Sequence, residues 1–194
     1  GLCPVASGKT TLLTPMVPDH FYEYSTSSKA VSASLELVYS GKFAKEWKTL
    51  EMLDIPSKLR ERGINANLTM IGDKFQKDLS DKSWHKRMQE KLESLSSDPM
   101  SGIRWAGGLP RDEALRIVCQ ADIGLSWRSP QMDASLELST KLLEYSAVGT
   151  AVLANRNGQH EDILGSNYPL LLDGLELEDV VRLLAKNSSR SQLN

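Results

Sequence analysis

The sequence has few cysteines, no long apolar run and almost no net charge. Cys3 and Cys119 are its only cysteines, and they stand in neither a CxxC nor a metal-ligand spacing, so no disulfide framework or zinc site is indicated. No segment has the ~20 apolar residues of a membrane-spanning helix, and no signal peptide is recognisable. The net charge of −2 gives no bulk attraction to nucleic acid. This composition is typical of a globular protein from a reducing compartment.

The complete phosphate-binding motifs are also missing. The stretch "CPVASGKTTL" (3–12) ends like a P-loop, G-x-x-x-x-G-K-[ST], but Cys3 occupies the first glycine position. Only two residues precede Cys3, and Pro15 and Pro18 oppose a following helix. No G-x-G-x-x-G follows the first predicted strand, and no D-x-D pair occurs. We therefore interpret residues 1–34 as a linker or entry segment that binds no phosphate.

From residue 35 onward, short apolar segments alternate with amphipathic ones. Strands are predicted at 35–40, 66–72, 102–109, 122–127, 150–155 and 168–172, and helices at 47–63, 81–97, 110–121, 139–149, 159–165 and 177–186. This alternation predicts an α/β fold, a single Rossmann-like domain over 35–187 with a six-stranded parallel sheet and helices on both faces. Residues 188–194 are predicted to be a frayed tail. In such sheets, ligands bind at the carboxyl ends of the strands.

Several candidate ligand-binding residues follow the predicted strands. Gly41 allows a ligand to approach the backbone, and Lys42 and Lys48 can reach a phosphate, unless they are simply solvated. The long loop 128–141 leads to a helix N-terminus, which attracts anions. Ser139 or Thr140 would cap that helix, Lys141 adds charge, and Glu144 is either a ribose ligand or a favourable acid near the helix start. Gly72 is either a turn residue or a place for a ring or phosphate to approach. The tryptophans Trp47, Trp84, Trp105 and Trp127 are interpreted as packing residues, and Cys119 as inert core.

The ordered motifs resemble the C-terminal, donor-nucleotide-binding domain of GT-B fold retaining glycosyltransferases of the group 1 type. The resemblance runs from about residue 35 to about 172 and rests on "VYSGK", "LTMIGD", "IRWAGGLPRDEALRIVCQADIGLSWRS" and "STKLLEYSAVGTAVLAN". It implies that Glu144 binds the ribose, and that Glu137, one residue from the expected position of the family's first glutamate, is the candidate for the donor sugar. It further implies a diphosphate site of Gly41, Lys42, Lys48, Ser139, Thr140 and Lys141, and base contacts from Gly72, Ile103 and Arg104.

The resemblance implies a hexosyltransferase that uses a nucleotide-diphosphate sugar in carbohydrate or polysaccharide biosynthesis, with a glycan, lipid or small molecule as acceptor. It implies no metal and no cofactor besides the donor, and it identifies no catalytic residue. The acceptor would bind an N-terminal domain that these residues do not include, so we expect them to be inactive alone. We expect a cytoplasmic location, or one on the inner face of a membrane reached through the missing domain, and no nucleic-acid partner.

Two alternatives stay open at this point. One is another GT-B member, such as a nucleotide-sugar epimerase or a phosphorylase-like enzyme. The other is a non-enzymatic α/β ligand-binding module. A receiver-type module is disfavoured because Gly41 and Lys42 stand where its acidic cluster would follow the first strand.

Overall fold

A computed structural model describes residues 17–26, 32–133 and 139–188. The strands are β1 (Leu35–Ser40), β2 (Ala66–Ile71), β3 (Ile103–Gly107), β4 (Ile123–Ser126), β5 (Ala151–Asn155) and β6 (Leu171–Leu172). The helices are α1 (Thr49–Met52), α2 (Ile55–Arg60), α3 (Trp84–Ser96), α4 (Arg111–Val118), α5 (Pro130–Asp133), α6 (Thr140–Ala147), α7 (Gly158–Leu164) and α8 (Leu177–Lys186), with 3-10 helices at Asp19–Thr26 and Lys45–Trp47.

The six strands form one sheet in the order β3-β2-β1-β4-β5-β6. All neighbours are parallel, which confirms the predicted Rossmann-like α/β architecture. The strand order reverses between β1 and β4, so the loops after these two strands diverge and leave a crevice at their carboxyl ends. Such a topological switch point is where ligands of doubly wound sheets bind.

Side chains alternate between two buried cores on opposite faces of the sheet. Along β1, Leu37 and Tyr39 belong to one core, together with residues of α1, α2, α3 and α8. Val38 points to the other core, which contains residues of α4 and α6. Because successive side chains of a strand face opposite ways, a continuous apolar strand buries both faces, as a central parallel strand requires.

The predicted helix 47–63 is two short helices rather than one. Pro56 stands in the first turn of α2, where its missing N–H costs no hydrogen bond. A proline inside a continuous helix would remove such a bond and clash with the preceding turn. The break suggested by Pro56 is therefore present, between α1 and α2.

The described part of the predicted linker is folded onto the domain. Phe21, in the first 3-10 helix, is fully buried in the core beside α4 and α6. The Arg111 guanidinium lies 4.6 Å from the centre of its ring. The residues around Phe21 show neither the helical nor the strand repeat of apolar side chains, so the sequence pattern did not predict the 3-10 helix Asp19–Thr26. The P-loop-like residues 3–12 and the tail residues 189–194 lie outside the described residues.

Candidate functional site

A pocket of about 310 Å³ opens at the carboxyl edge of the sheet, beside the switch point. The loops after β1 and β2 form one side, and helices α4 and α6 form the other. Residues that line it include Gly41, Lys42, Gly72, Arg111, Glu144 and Tyr145.

Two glycines let the backbones after β1 and β2 approach each other closely. Gly41 has φ +144° and Gly72 has φ +149°, conformations that side chains rarely allow. A Cβ on Gly72 would lie 2.1 Å from the Gly41 carbonyl oxygen. The Gly41 N–H donates to the Ile71 carbonyl at 2.9 Å, and the Gly72 N–H to the Gly107 carbonyl at 2.7 Å. The two glycines therefore contribute only backbone to this side of the pocket, beside the side chains of Lys42, Asp73 and Lys74.

Lys141, in the first turn of α6, extends over Gly41. A Cβ on Gly41 would lie 3.1 Å from Lys141 Cε, and the Lys141 ammonium lies 3.7 Å from the centre of the Trp47 ring. The pKa of Lys141 is lowered to about 8, mainly by burial; Glu144 opposes the shift, and the nearby charges of Lys42 and Arg128 contribute to it. Such a site favours the arrival of an anion, which would neutralise the crowded positive charge.

Glu144 lies on the same helix as Lys141 and faces the pocket. Its Oε1 accepts a hydrogen bond from the Arg111 guanidinium at 2.5 Å. The Glu144 side chain is 23% exposed and that of Arg111 is 55% exposed. The carboxylate is thus available to a ligand once the more exposed arginine moves aside.

Two buried tyrosines hold the loop after β1 in place. The Ser40 N–H donates to the Tyr145 hydroxyl at 2.8 Å, and the Tyr39 hydroxyl donates to the Lys42 carbonyl at 2.6 Å. Burial raises the pKa of both Tyr39 and Tyr145, so both remain protonated over the physiological range. Tyr145 packs directly on Gly124 of β4, where a Cβ would lie 2.2 Å from its ring. These contacts join α6 to both switch-point strands.

A buried arginine follows β4. Arg128 is 1% exposed, and its backbone N–H and carbonyl pair with the Asn155 side chain, each at 2.9 Å. Its guanidinium lies 3.4 Å from His160 Nε2, while His160 Nδ1 lies 2.6 Å from the Asn155 carbonyl. These bonds fit a neutral imidazole that donates from Nδ1 and accepts at Nε2.

Ser139 and Thr140 stand at the start of α6, as predicted, but Ser139 does not cap the helix. Its hydroxyl lies 2.9 Å from the Ser126 hydroxyl at the end of β4, and its side chain makes no capping bond. Thr140 is exposed. The first amides of α6 are therefore not occupied by the Ser139 hydroxyl, and the helix start is tied to the sheet instead.

Lys48 is directed away from the pocket that contains Lys42. It adopts a left-handed conformation, φ 51°, between the 3-10 helix and α1. Its ammonium lies 3.8 Å from Glu51 Oε1 and 5.7 Å from the Trp127 ring centre. Lys48 and Ser129 line a neighbouring pocket of about 460 Å³.

Ile103 and Arg104 lie at the beginning of β3, not at its carboxyl end. Ile103 packs in the core, and Arg104 is paired with Thr69 of β2 and lines a different pocket with Arg116. The strand runs on to Gly107, which puts Arg104 about 10 Å from the pocket edge at ~3.3 Å per residue. The structure therefore does not bring these two residues to the site. Glu137 lies outside the described residues.

Sequence reasoning missed several residues that shape the site: Tyr39, Trp47, Arg111, Arg128 and Tyr145. Arg111 and Arg128 both follow strands closely, so the strand-end rule applied to every polar residue would have found them. The two tyrosines and Trp47 carried no such signal because their roles depend on contacts between distant segments.

Within residues 17–26, 32–133 and 139–188, no group of three or more histidine, cysteine, aspartate or glutamate residues is placed to hold a metal ion. Over the same ranges, no helix combines the length and apolar character that crossing a bilayer requires.

Comparison with solved structures finds the same fold in several longer proteins. The chain matches the Anabaena protein HepE, solved with UDP and glucose, at 10% identity and a TM-score of 0.61, covering 83% of this chain and 40% of that one. It matches the apo structure of OtsA at 9% identity and a TM-score of 0.66, covering 91% and 43%. It matches a UDP-forming trehalose-phosphate synthase from Burkholderia xenovorans at 11% identity and a TM-score of 0.61, covering 90% and 43%.

The chain thus spans less than half the length of these proteins, which share its fold. No curated protein matches it in sequence. The family model described as "Glycosyl transferase-like" matches residues 54–193, which is most of the chain and includes β2 to β6 and helices α2 to α8. With the parallel sheet of GT-B glycosyltransferases and a cationic pocket at its switch point, the chain belongs to the glycosyl transferase-like family.

Proposed function

We propose that this domain binds the nucleotide-diphosphate part of a sugar donor for a glycosyltransferase. The observation that carries the proposal is the position of Lys141 over Gly41, with Lys42 at the same pocket and Glu144 one helical turn away. Two proteins of the same fold support it: HepE was solved with UDP-glucose, and an E. coli protein with UDP-2-fluoro glucose.

The roles of the residues follow from their charge and position. Lys42 and Lys141 bind the diphosphate, with the backbone of Gly41 and the first amides of α6 near Ser139 and Thr140. Glu144 exchanges its bond with Arg111 for the ribose hydroxyls, since a carboxylate accepts two hydrogen bonds from a diol. Gly72 gives the base access to the backbone after β2.

The chemistry proposed for this domain is electrostatic. As the bond from the sugar to the diphosphate breaks, negative charge develops on the leaving oxygen, and fixed cations beside it stabilise that charge. Lys141 and Lys42 supply such cations without a metal. The acceptor and the groups that bind it lie beyond these residues in the proposal, so we expect no sugar transfer by this chain alone.

Binding of nucleotides to the folded chain tests the proposal. Isothermal titration with UDP, GDP and ADP should give binding by at least one of them in the micromolar to millimolar range. No binding by any of the three at millimolar concentration, in a sample shown to be folded, would contradict the proposal.

Two substitutions separate the phosphate and ribose roles. Lys141→Gln should weaken the binding of both the nucleotide and inorganic pyrophosphate, since both present a diphosphate. Glu144→Gln should weaken nucleotide binding roughly tenfold more than pyrophosphate binding, the loss of about one charge-assisted hydrogen bond, because only the nucleotide presents a ribose, whereas any effect through the charge of Lys141 acts on both ligands. Lys86→Gln is the matched control, because Lys86 is 74% exposed and pairs only weakly with Glu90 on α3. If Lys86→Gln lost as much affinity as the two site variants, the losses would reflect a general effect of charge, and the roles assigned to Lys141 and Glu144 would be wrong.

A further inference from the structure

Trp47 forms one wall around the ammonium of Lys141. The Lys141 Nζ lies 3.7 Å from the centre of the Trp47 ring and 5.3 Å from that of Tyr39. Its Cε lies against Gly41, 3.1 Å from where a Cβ would be. The ammonium is thus enclosed by two ring faces and a glycine backbone, a geometry in which the ring quadrupoles attract a cation.

Backbone bonds hold the Trp47 segment in this position. The Trp47 N–H donates to the Ala44 carbonyl at 3.1 Å, and the Ser129 N–H, after β4, donates to the Glu46 carbonyl at 2.7 Å. Lys48 then turns the chain into α1 with its left-handed conformation. The ring is therefore positioned from both sides of the switch point, by the loop after β1 and the loop after β4.

The charged groups around Lys141 come from three elements. Glu144 on α6 favours the ammonium, whereas Lys42 after β1 and Arg128 after β4 oppose it. Tyr39 on β1 stays neutral because burial raises its pKa. With two cations against one carboxylate, the aromatic faces add to the attraction of Glu144 in keeping the half-buried lysine charged.

We propose that Trp47 is a positioning residue for the diphosphate site, whose ring holds the Lys141 ammonium over Gly41 in its charged form. This inference rests on the function proposed above. The sequence indicated only a packing role for Trp47, and this inference assigns it a role in binding.

The proposal predicts a characteristic pH profile for nucleotide binding. The pKa of Lys141 lies at about 8; if only the ammonium form binds, the dissociation constant rises ~25-fold between pH 7.5 and 9.5. The terminal phosphate of the nucleotide, with a pKa of ~6, is already ionised over this range. The pKa of Tyr145 is raised by burial, so this tyrosine, like Tyr39, does not titrate there.

The test measures UDP binding, or binding of whichever diphosphate the wild type prefers, from pH 7.5 to 9.5 in four single variants and in the double variant Trp47→Leu/Lys141→Gln. Trp47→Leu keeps an apolar wall but removes the ring, so the affinity at pH 7.5 should fall at least fivefold. As the pH is raised, this variant should also begin to lose affinity at a lower pH than the wild type does. Trp47→Phe keeps a ring face and should recover most of the binding. Lys141→Gln should bind weakly with a flat profile, and Lys86→Gln should match the wild type.

A direct titration of Lys141 accompanies the binding data. NMR of lysine-labelled protein should show a lower Lys141 pKa in Trp47→Leu than in the wild type, with Trp47→Phe between them. If Trp47→Leu does not fold, Trp47→Phe replaces it in the test. This variant should show a smaller decrease of the Lys141 pKa and a smaller shift in the pH dependence of nucleotide binding.

The outcomes separate this inference from the proposed function. If the wild type binds no nucleotide diphosphate, the proposed function fails. If the wild type binds but Trp47→Leu keeps its affinity, profile and Lys141 pKa, only the role of Trp47 is overturned. It is also overturned if Trp47→Leu weakens binding as much in a Lys141→Gln background as in the wild type, because the ring would then act independently of the lysine.

Discussion

Substitution of Gly72 by alanine should destabilise the domain strongly, because it meets two obstacles at once. The backbone at Gly72 has φ +149°, a conformation close to glycine-only, and the new Cβ would lie 2.1 Å from the Gly41 carbonyl oxygen. The strain costs ~1–3 kcal/mol, and forcing an extra carbon into a closely packed site costs another ~1–3 kcal/mol. Since the obstructing atom belongs to the backbone, no side-chain rotation relieves the clash.

We therefore expect a loss of about 3–5 kcal/mol from a total stability of ~5–15 kcal/mol. Two other glycines separate the causes. Gly63 has φ +77° but open space around its Cβ position, so Gly63→Ala should lose only ~1 kcal/mol of strain. Gly158 has open space and no positive φ, so Gly158→Ala should be neutral or gain ~0.4–1 kcal/mol.

Urea denaturation followed by circular dichroism measures all three variants on one scale. The midpoint should fall furthest for Gly72→Ala, with the slope of the transition unchanged. A loss for Gly72→Ala no greater than that for Gly63→Ala would show that the two loops are free to separate, and that the close approach after β1 and β2 is not a rigid feature of the site.

Three further predictions follow from the buried polar groups. Tyr145→Phe should lose ~1–3 kcal/mol of stability, because it removes the acceptor for the half-buried Ser40 N–H at 2.8 Å; an unchanged thermal midpoint would contradict this. Asn155→Ala should lose ~2–4 kcal/mol, because it removes the side chain that pairs with both the N–H and the carbonyl of Arg128, and urea midpoints test it. Lys141→Met should raise stability at pH 7 by about 2 kcal/mol while abolishing its role in the site. The folded pKa of Lys141 is lowered from 10.5 to about 8, so the unfolded chain binds more protons between these values and wild-type stability rises with pH there. The advantage of Lys141→Met should thus be complete below pH 8 and vanish near pH 10.5, and a difference independent of pH would refute the linkage.

The strands were predictable because their information is local. β1 lies at Leu35–Ser40, as its apolar run predicts, and the remaining strands fall within their predicted ranges. Burial on both faces of a parallel sheet leaves a continuous apolar segment, which can be recognised without knowing its neighbours. The glycines after the strands and the position of α6 follow from the same pattern, so Gly41, Gly72 and Lys141 could be selected from the sequence.

Side-chain directions could not be predicted in this way. Lys42 and Lys48 looked equivalent in sequence, but the left-handed turn at Lys48 directs its ammonium toward Glu51. The family resemblance predicts base contacts from Ile103 and Arg104, but β3 runs on to Gly107, so both residues lie at the beginning of the strand and not at its carboxyl end. Phe21 packs on the domain from a segment without periodicity.

By itself, the sequence determined the alternation of strands and helices, the edge of the sheet that carries the candidate site, and the family, because local patterns of apolar and glycine residues encode all three. Only the tertiary structure decided which cation lies over Gly41 and that the rings of Trp47 and Tyr39 flank it. It also decided that the Arg111 guanidinium donates a hydrogen bond to the Glu144 carboxylate. These pairs join segments far apart in the chain. Their contacts depend on the packing of α4, α6 and the loop after β1 against one sheet, and no local pattern records that geometry.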